Sequence, residues 1–384
     1  MSYMDSYRSP WMTEELDMLR RTARAFFEDD VKPLDEQAQK NHGIGKDIWK
    51  KAGDLGLLGM SLPEEYGGHG APFACEAVVI EEQARACNTS FGFVPGAFNA
   101  ANVLVDVATP EQCTKYIPQV TAGELIISVG ITEPGMGSDM QGMRTKAVLD
   151  GDNYVINGQK TFMTHGEQAD LCMLAARTGD GPRDVTLFFV HTKEVEGFNI
   201  SRKLEKIGQN GLDTCEVFID NVVVPKENIV GGVLNQGLSQ LRDAFIKERL
   251  IIGLSGVATA ERAIELTVEH TRMREMFGHT LWDFQNTRMK LAECASYVRA
   301  ARCLIDTLIQ KKTEGGVVTS QEAAMVKYLC TDIQCKAIDE CLQLFGGYGY
   351  MAEYPIAQLY MDARIQRIYG GANEVMKEIV ARKL

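Results

Sequence analysis

The sequence predicts a mainly α-helical chain with a β domain at its centre. An N-terminal helical domain takes residues 1–122, a β-barrel-like domain 123–232, and a C-terminal four-helix bundle 233–384. Three observations carry this. Apolar residues recur at three- and four-residue steps in the first and last parts of the chain. Between them lie short alternating runs separated by Gly, Asp and Asn turns. No segment repeats another. At 384 residues there is chain enough for two or three domains around a large core.

The elements follow in order. From Thr13 to Thr121, Glu14–Asp30 and Ile48–Met60 keep the helical step, and PEEYGG at 63–68 reads as a turn. Pro95, Pro110 and Pro118 punctuate the helices that follow. From Gly123 to Gly232 come LIISVG, VLDGDNYVING, LCMLAAR, VTLFFV and TCEVFIDNVVVP, with GD and NG as hairpin signals. The helical period then returns at about 236–272, 283–313, 320–345 and 353–367, with a short last segment. GVV at 316–318 connects two of these helices.

Composition narrows the function classes. The chain is 45% hydrophobic and 24% charged, with a net charge of −12. That balance argues against a sequence-independent nucleic-acid binder, which needs a basic face. No window reaches 18 uninterrupted apolar residues, so no membrane span is expected. The opening MSYMDSYRSPW has neither an apolar signal core nor the Arg-rich character of a transit segment. Ten scattered cysteines form no CxxC pair and six histidines no ligand spacing, so reduced thiols, a cytoplasmic location and no metal site are expected.

Four strings carry the chemistry. ITEPGMGSD at 131–139 places Thr132, two glycines and Ser138 on a turn after the β-type run LIISVG. Backbone N–H groups and a hydroxyl can there meet a polar ligand edge closely. NGQKTFMTHG at 157–166 puts Phe162 and then Thr164 just beyond the strand YVIN, a flat ring beside a hydroxyl that suits a planar heterocycle such as a flavin. Both strings also read as plain Gly-rich connections between strands. In RMREMFG at 272–278, Arg274 can bind a pyrophosphate in a bidentate way while Phe277 packs on a ring; a surface arginine beside a helix-ending glycine reads the same. The glycines of QLFGGYGY at 343–350 end a long helix and let backbone approach a ligand. No βαβ unit surrounds them, so they are not a dinucleotide fingerprint.

One carboxylate sits on the wrong face. On the helix from Gln236, Leu238, Leu241, Phe245 and Ile252 form one apolar stripe, and Glu248 falls inside it. A carboxylate on a buried face raises its pKa, the condition for a general base near neutrality. Arg249, one step round the wheel, is available for a phosphate or a carboxylate. A structural Glu248 neutralised by a nearby basic group fits the same pattern.

Taken together, these strings resemble the acyl-CoA dehydrogenase family, over essentially the whole chain. The resemblance implies FAD, held by Val129, Ile131, Thr132, Gly137, Ser138, Phe162 and Thr164, with Ala372 and Glu374 near the C-terminus. It also implies that Arg274, Gln343, Gly346 and Gly347 meet the FAD of a neighbouring subunit, that Phe277 binds the cofactor, and that Gln285 lies near the adenine end of FAD. Ser138, Arg249, Tyr369 and Gly370 would meet the substrate. Phe162 stands where relatives usually have Trp and keeps the stacking surface without the indole N–H. Ala372 stands for the usual Thr, so one cofactor hydrogen bond is missing.

The family carries its base at one of two places: in a C-terminal string like IYEGT, or on the helix that opens the C-terminal bundle, before an arginine. This chain has IYGGANEV at 368–375, with Gly370 at the first place, and KERL at 247–250, with Glu248 at the second. The resemblance therefore implies α,β-dehydrogenation of an acyl-CoA thioester to the trans-2-enoyl-CoA, with Glu248 as base. The backbone N–H of Gly370 and a ribityl hydroxyl of FAD would hold the thioester oxygen. Electrons would pass to an electron-transfer flavoprotein, and a homotetramer is the family habit. IYGGANEVMKEIVARKL and ITEPGMGSDMQG look most like the family's long-chain branch. Pro95 and Gly96 add little bulk on the segment expected to floor the acyl pocket, and a base on the other helix also suits β-branched substrates. Medium-to-long straight chains therefore stand slightly ahead of branched ones. Two rival readings are a flavin monooxygenase or oxidase of the same fold and a catalytically inactive flavin-binding scaffold.

Overall fold

A computed structural model describes residues 7–92, 99–382 and 384. Pro95 and Gly96 lie outside the described residues. The chain opens with α1 (Glu14–Ala25), α2 (Asp35–Asn41), α3 (Asp47–Asp54), α4 (Phe73–Arg85), α5 (Asn99–Val107) and α6 (Pro110–Thr121). Thr13 starts α1 by accepting the Leu16 N–H at 3.3 Å, and Glu14, Glu15 and Asp17 sit where the helix dipole favours negative charge. Two expectations are corrected here. The helix expected to run to Met60 ends at Asp54, because Gly56 and Gly59 take φ of 68° and 64°, a region open to glycine and closed to continued helix. Pro118 lies inside α6, one turn from its end, and does not divide two helices.

The centre is a seven-stranded sheet of β1 (Ile127–Gly130), β2 (Lys146–Asp150), β3 (Asn153–Thr164), β4 (Leu171–Arg177), β5 (Val185–His191), β6 (Phe198–Lys203) and β7 (Thr214–Pro225). The order is β1, β4, β2, β3, β7, β6, with β5 paired to β4. β1 runs parallel to β4, and β3 runs antiparallel to both β2 and β7. β4 is buried on both faces, so its alternate residues enter different cores. Leu171, Met173 and Ala175 pack with Leu104, Tyr116 and Leu241, whereas Cys172, Leu174 and Ala176 pack with Tyr154, Ile156 and Val217.

Helices return with α7 (Gly237–Met273), 37 residues long. A hairpin of β8 (Glu275–Met276) and β9 (His279–Thr280) follows. Its two turn residues, Phe277 and Gly278, have φ of 53° and 77°, the sign pattern that tight hairpins demand. Then come α8 (Gln285–Thr313), α9 (Ser320–Phe345), α10 (Pro355–Ala363) and α11 (Asn373–Ala381). Three long helices and the shorter α10 form the C-terminal bundle, with α11 against α9. A third core ties the bundle to the first helices: Phe26, Phe27 and Trp49 belong to the same cluster as Leu250, Leu254, Ile305 and Ile338. Across that contact the buried Arg302 pairs with Glu81 of α4 and Glu261 of α7, at 2.5 and 2.7 Å. Among the described residues, no helix is long and apolar enough to cross a membrane, and no cluster of three or more His, Cys, Asp or Glu could hold a metal ion.

Candidate active site

The helical step on α7 puts Leu241 and Ile252 in the interior and leaves Phe245 and Glu248 half-buried at its edge. Facing them is the turn 369–372 that leads into α11. Gly370 and Gly371 take φ of 62° and 94° there. A β-carbon on Gly370 would lie 2.4 Å from Ile252 Cδ1 and 3.6 Å from Glu248 Oε1. Bare backbone and a carboxylate therefore face each other, and a side chain on the glycine would have to displace the tip of Ile252.

Two buried cations hold this turn from beneath. Lys327 of α9 is fully buried, and its Nζ donates to Gly371 O at 2.7 Å and to Asn373 Oδ1 at 2.9 Å. The Asn373 amide donates in turn to Thr331 Oγ1 at 3.0 Å and Asp332 Oδ1 at 2.9 Å, which aims its oxygen at the lysine. Arg249 is only 6% exposed, and its Nε donates to Gly370 O at 3.5 Å. The sequence left a phosphate or a carboxylate open as its partner; the structure turns it inward to a backbone carbonyl. Burial lowers the Lys327 pKa to about 8 and lowers that of Arg249, and the Glu248 carboxylate opposes both shifts. Burial also pushes the Tyr369 phenol above its ordinary range, with Glu248 adding to the effect.

The two glycine-rich strings meet in the β domain. β3 loses register with β7 between Lys160 and Met163, so Lys160 and Thr161 are buried in succession and the alternation breaks. The break turns Phe162 outward at φ 55°, with its ring 67% exposed. A bulky residue in that conformation marks local strain of the kind found at ligand sites. Lys160 Nζ reaches back to Ile131 O at 3.0 Å and Glu133 Oε1 at 2.9 Å. Glu133 also accepts the N–H groups of Arg144 at 2.7 Å and Thr145 at 3.0 Å. Burial works against its charge, but Lys160 and these donors leave its pKa below the ordinary value. Thr161 N–H donates to Thr132 O at 2.9 Å, and Ser128 Oγ to Thr164 O at 2.6 Å. Val129, Ile131, Thr132 and Thr164 are half-buried beside this junction, and Gly137 and Ser138 are exposed on the loop. An outward aromatic ring with hydroxyls and open peptide edges around it is a donor set that fits a planar heterocycle with a polar rim.

The remaining residues gather elsewhere. Arg274, Phe277, Gln285, Gln343, Gly346 and Gly347 are all exposed. The hairpin meets the end of α9, where the Arg274 guanidinium stands 5.7 Å from the Tyr348 ring centre. Arg274, the first residue past the end of α7, follows Glu248 by 26 residues, roughly 39 Å along the helix axis. The structure thus separates this group from Glu248 within one chain. Ala372 caps α11 and Glu374 is exposed in its first turn, both beside the Gly370–Gly371 turn.

Sequence reasoning passed over Lys327, Asn373, Glu133 and Lys160. For Lys327 the signal was available. Ala323, Val326, Cys330, Ala337 and Cys341 form a buried stripe on α9, and Lys327 and Gln334 fall within it. The wrong-face test that singles out Glu248 on α7 finds both.

Comparison with known proteins identifies the family. Family models for the acyl-CoA dehydrogenase N-terminal, middle and C-terminal domains match residues 13–124, 128–222 and 235–384. The chain is 38% identical over 376 residues to the mouse (Mus musculus) mitochondrial long-chain specific acyl-CoA dehydrogenase, covering 97% of this chain and 87% of that one. An acyl-CoA dehydrogenase structure from Geobacillus kaustophilus superposes with a TM-score of 0.93 at 35% identity, covering 98% and 99% of the two chains. One from Bacillus anthracis, complexed with FAD, gives 0.92 at 28% identity over 100% of this chain and 70% of that one. This chain belongs to the acyl-CoA dehydrogenase family.

Proposed function

We propose that this protein removes the α-proton of an acyl-CoA thioester with Glu248 and yields the trans-2-enoyl-CoA. The observation that carries the reading is the juxtaposition of Glu248 with Gly370. The turn where relatives of the commoner type place their carboxylate has no side chain, and α7 supplies one 3.6 Å from where a Gly370 β-carbon would stand. Family membership supports the acyl-CoA substrate class.

The FAD carried by the Bacillus anthracis relative supports FAD here, and when bound it supplies the acceptor for the β-hydride. Phe162 offers the ring face, and Val129, Ile131, Thr132, Gly137, Ser138 and Thr164 offer the polar rim, with Ala372 and Glu374 beside the Gly370 turn. Gly370 needs only its backbone N–H to hold the thioester oxygen, and Arg249 and Lys327 fix the carbonyls on either side of the next peptide.

The long-chain name of the mouse relative supports medium-to-long straight chains ahead of branched ones. A homotetramer is supported by the exposed end of α7, where Met273, Phe277 and Tyr350 are 75%, 85% and 87% exposed in one chain. There Arg274, Phe277, Gln285, Gln343, Gly346 and Gly347 serve a neighbouring subunit's cofactor. An electron-transfer flavoprotein receives the electrons, and the protein works in the cytoplasm.

The deciding experiment is an anaerobic titration of the purified flavoprotein with saturated acyl-CoAs of increasing length and with branched ones. Bleaching of the flavin band near about 450 nm, a property of the cofactor, supports dehydrogenation and ranks the substrates. A flavin-loaded protein that no acyl-CoA bleaches is an oxygen-using enzyme or an inactive scaffold, and the reading is wrong.

A further inference from the structure

The face of α7 that carries Glu248 continues through Ile252 and Ser255 to Thr259. These positions stack at helical steps of four, three and four residues. Ser255 and Thr259 open on a cavity of about 50 Å³ whose other walls include Gln83, Gln334, Gln366 and Tyr369. Tyr369, one of its walls, directly precedes Gly370 in the turn that faces the base.

Its walls mix apolar side chains such as Leu212 and Leu359 with buried amides that an acyl tail does not call for. Gln334 is fully buried, and neither its Nε2 nor its Oε1 has a hydrogen-bond partner among the described residues. Gln366 is 6% exposed; its Nε2 donates to Ser255 Oγ at 3.4 Å and its Oε1 is unpartnered. The two amides converge beside Gly256, where a β-carbon would come within 3.1 Å of Gln334 Oε1 and 3.4 Å of Gln366 Oε1. Buried polar atoms are almost always satisfied, and an unmet pair in a cavity marks a missing partner.

We infer that the preferred acyl chain carries a neutral oxygen function, a hydroxyl above all, roughly 10 to 16 Å along α7 from the base. This rests on the acyl-CoA dehydrogenase reading of the site. An amide presents a donor and an acceptor whichever way round it lies, and a hydroxyl answers both. A methyl end would displace any water and leave both unmet, the situation in which a polar site discriminates best. A charged end is disfavoured. Asp362, also in the wall, is buried and already accepts from Thr89, Gln358 and the Gln209 N–H, and burial raises its pKa. A second carboxylate beside it would add like-charge repulsion.

The test compares kcat/KM of the holoenzyme for matched pairs of acyl-CoA thioesters, unsubstituted and hydroxylated near the distal end, over a range of lengths. The hydroxylated member should win by at least about tenfold at the best length. Gln334→Met should erase that preference, the unsubstituted member no longer facing an unmet amide there. Gln366→Leu probes the same pair of amides should the first variant not accumulate. Preference for the unsubstituted member at every length means that the cavity merely holds water, and overturns the inference. So does a preference that survives both substitutions. If neither member of any pair bleaches the flavin, the dehydrogenase reading has failed and takes this inference with it.

Discussion

Glu248 on α7 and Gly370 before α11 confront each other so closely that a β-carbon on the glycine would lie 3.6 Å from Glu248 Oε1. The turn carries no carboxylate, and α7 provides one. Glu248→Gln keeps the shape and removes the proton acceptor. A positioned base is worth roughly 10²–10⁴ in rate, so turnover should nearly vanish while acyl-CoA binding stays close to wild type. Retention of more than about a tenth of the activity would remove Glu248 from the role.

Gly370→Ala tests the other partner. The new methyl meets Ile252 Cδ1 at 2.4 Å on a residue held at φ 62°. Both effects displace the turn, and misplacement by about 1 Å costs on the order of 10²-fold. Stopped-flow bleaching should therefore slow by at least about tenfold with cofactor content unchanged. Ile252→Val removes the clashing atom, so the double variant should recover part of the rate. A single variant as fast as wild type would mean that the turn does not set the geometry.

Lys327 links the turn to pH. Burial lowers its pKa to about 8, against the opposing charge of Glu248 and with Arg249, Asp332 and Glu374 also acting on it. Above that value the cation beneath Gly371 is lost, so kcat/KM should show a falling limb near pH 8. Lys327→Arg, which does not titrate in this range, should flatten it. Stability moves the other way. Between about 8 and the unperturbed 10.5 the unfolded chain holds the proton that the native one has released, so stability rises with pH over that window. An alkaline limb unchanged in the arginine variant counts against the assignment.

Glu76 gives a second pH signature, remote from the site. It is 2% exposed, accepts Ser61 N–H at 3.0 Å, and burial raises its pKa from 4.5 to about 7. The native carboxyl keeps its proton above the pH at which the unfolded one releases it. Stability attached to this group is therefore present below about 4.5 and lost as pH rises to about 7. Glu76→Gln removes that dependence, and its advantage over wild type at pH 8 is at most about 3 kcal/mol. Melting curves at pH 5 and pH 8 decide it, since a variant that fares worse at pH 8 than at pH 5 reverses the predicted sign.

Much of this was legible before any coordinates. The apolar period placed a helix at about 236–272, where α7 runs Gly237–Met273, and it isolated Glu248. Alternation with the GD turn at 151–152 located β2 and β3. NG at 157–158, read as a second turn, lies inside β3, which runs on through Phe162 to Thr164 and slips register with β7 between Ile156 and Gly158. What escaped depends on partners distant in sequence. Lys327 and Asn373 lie 46 residues apart and meet only when α11 docks on α9. The outward turn of Phe162 comes from lost register between β3 and β7, which no window on β3 alone contains. The early stop of α3 at Asp54 lay in Gly56 and Gly59, whose φ values outweighed an apolar rhythm that continued past them.

The unbroken run of α7 makes Glu248 and Arg274, just past its end, two points on one lever. Over an arm of roughly 39 Å, a tilt of about one degree sweeps the far point by about 0.7 Å, comparable with the misplacement that catalysis feels. Whatever the Glu275–Thr280 hairpin rests against therefore helps to aim the carboxylate. Substitutions there should change the rate of proton removal without touching the substrate.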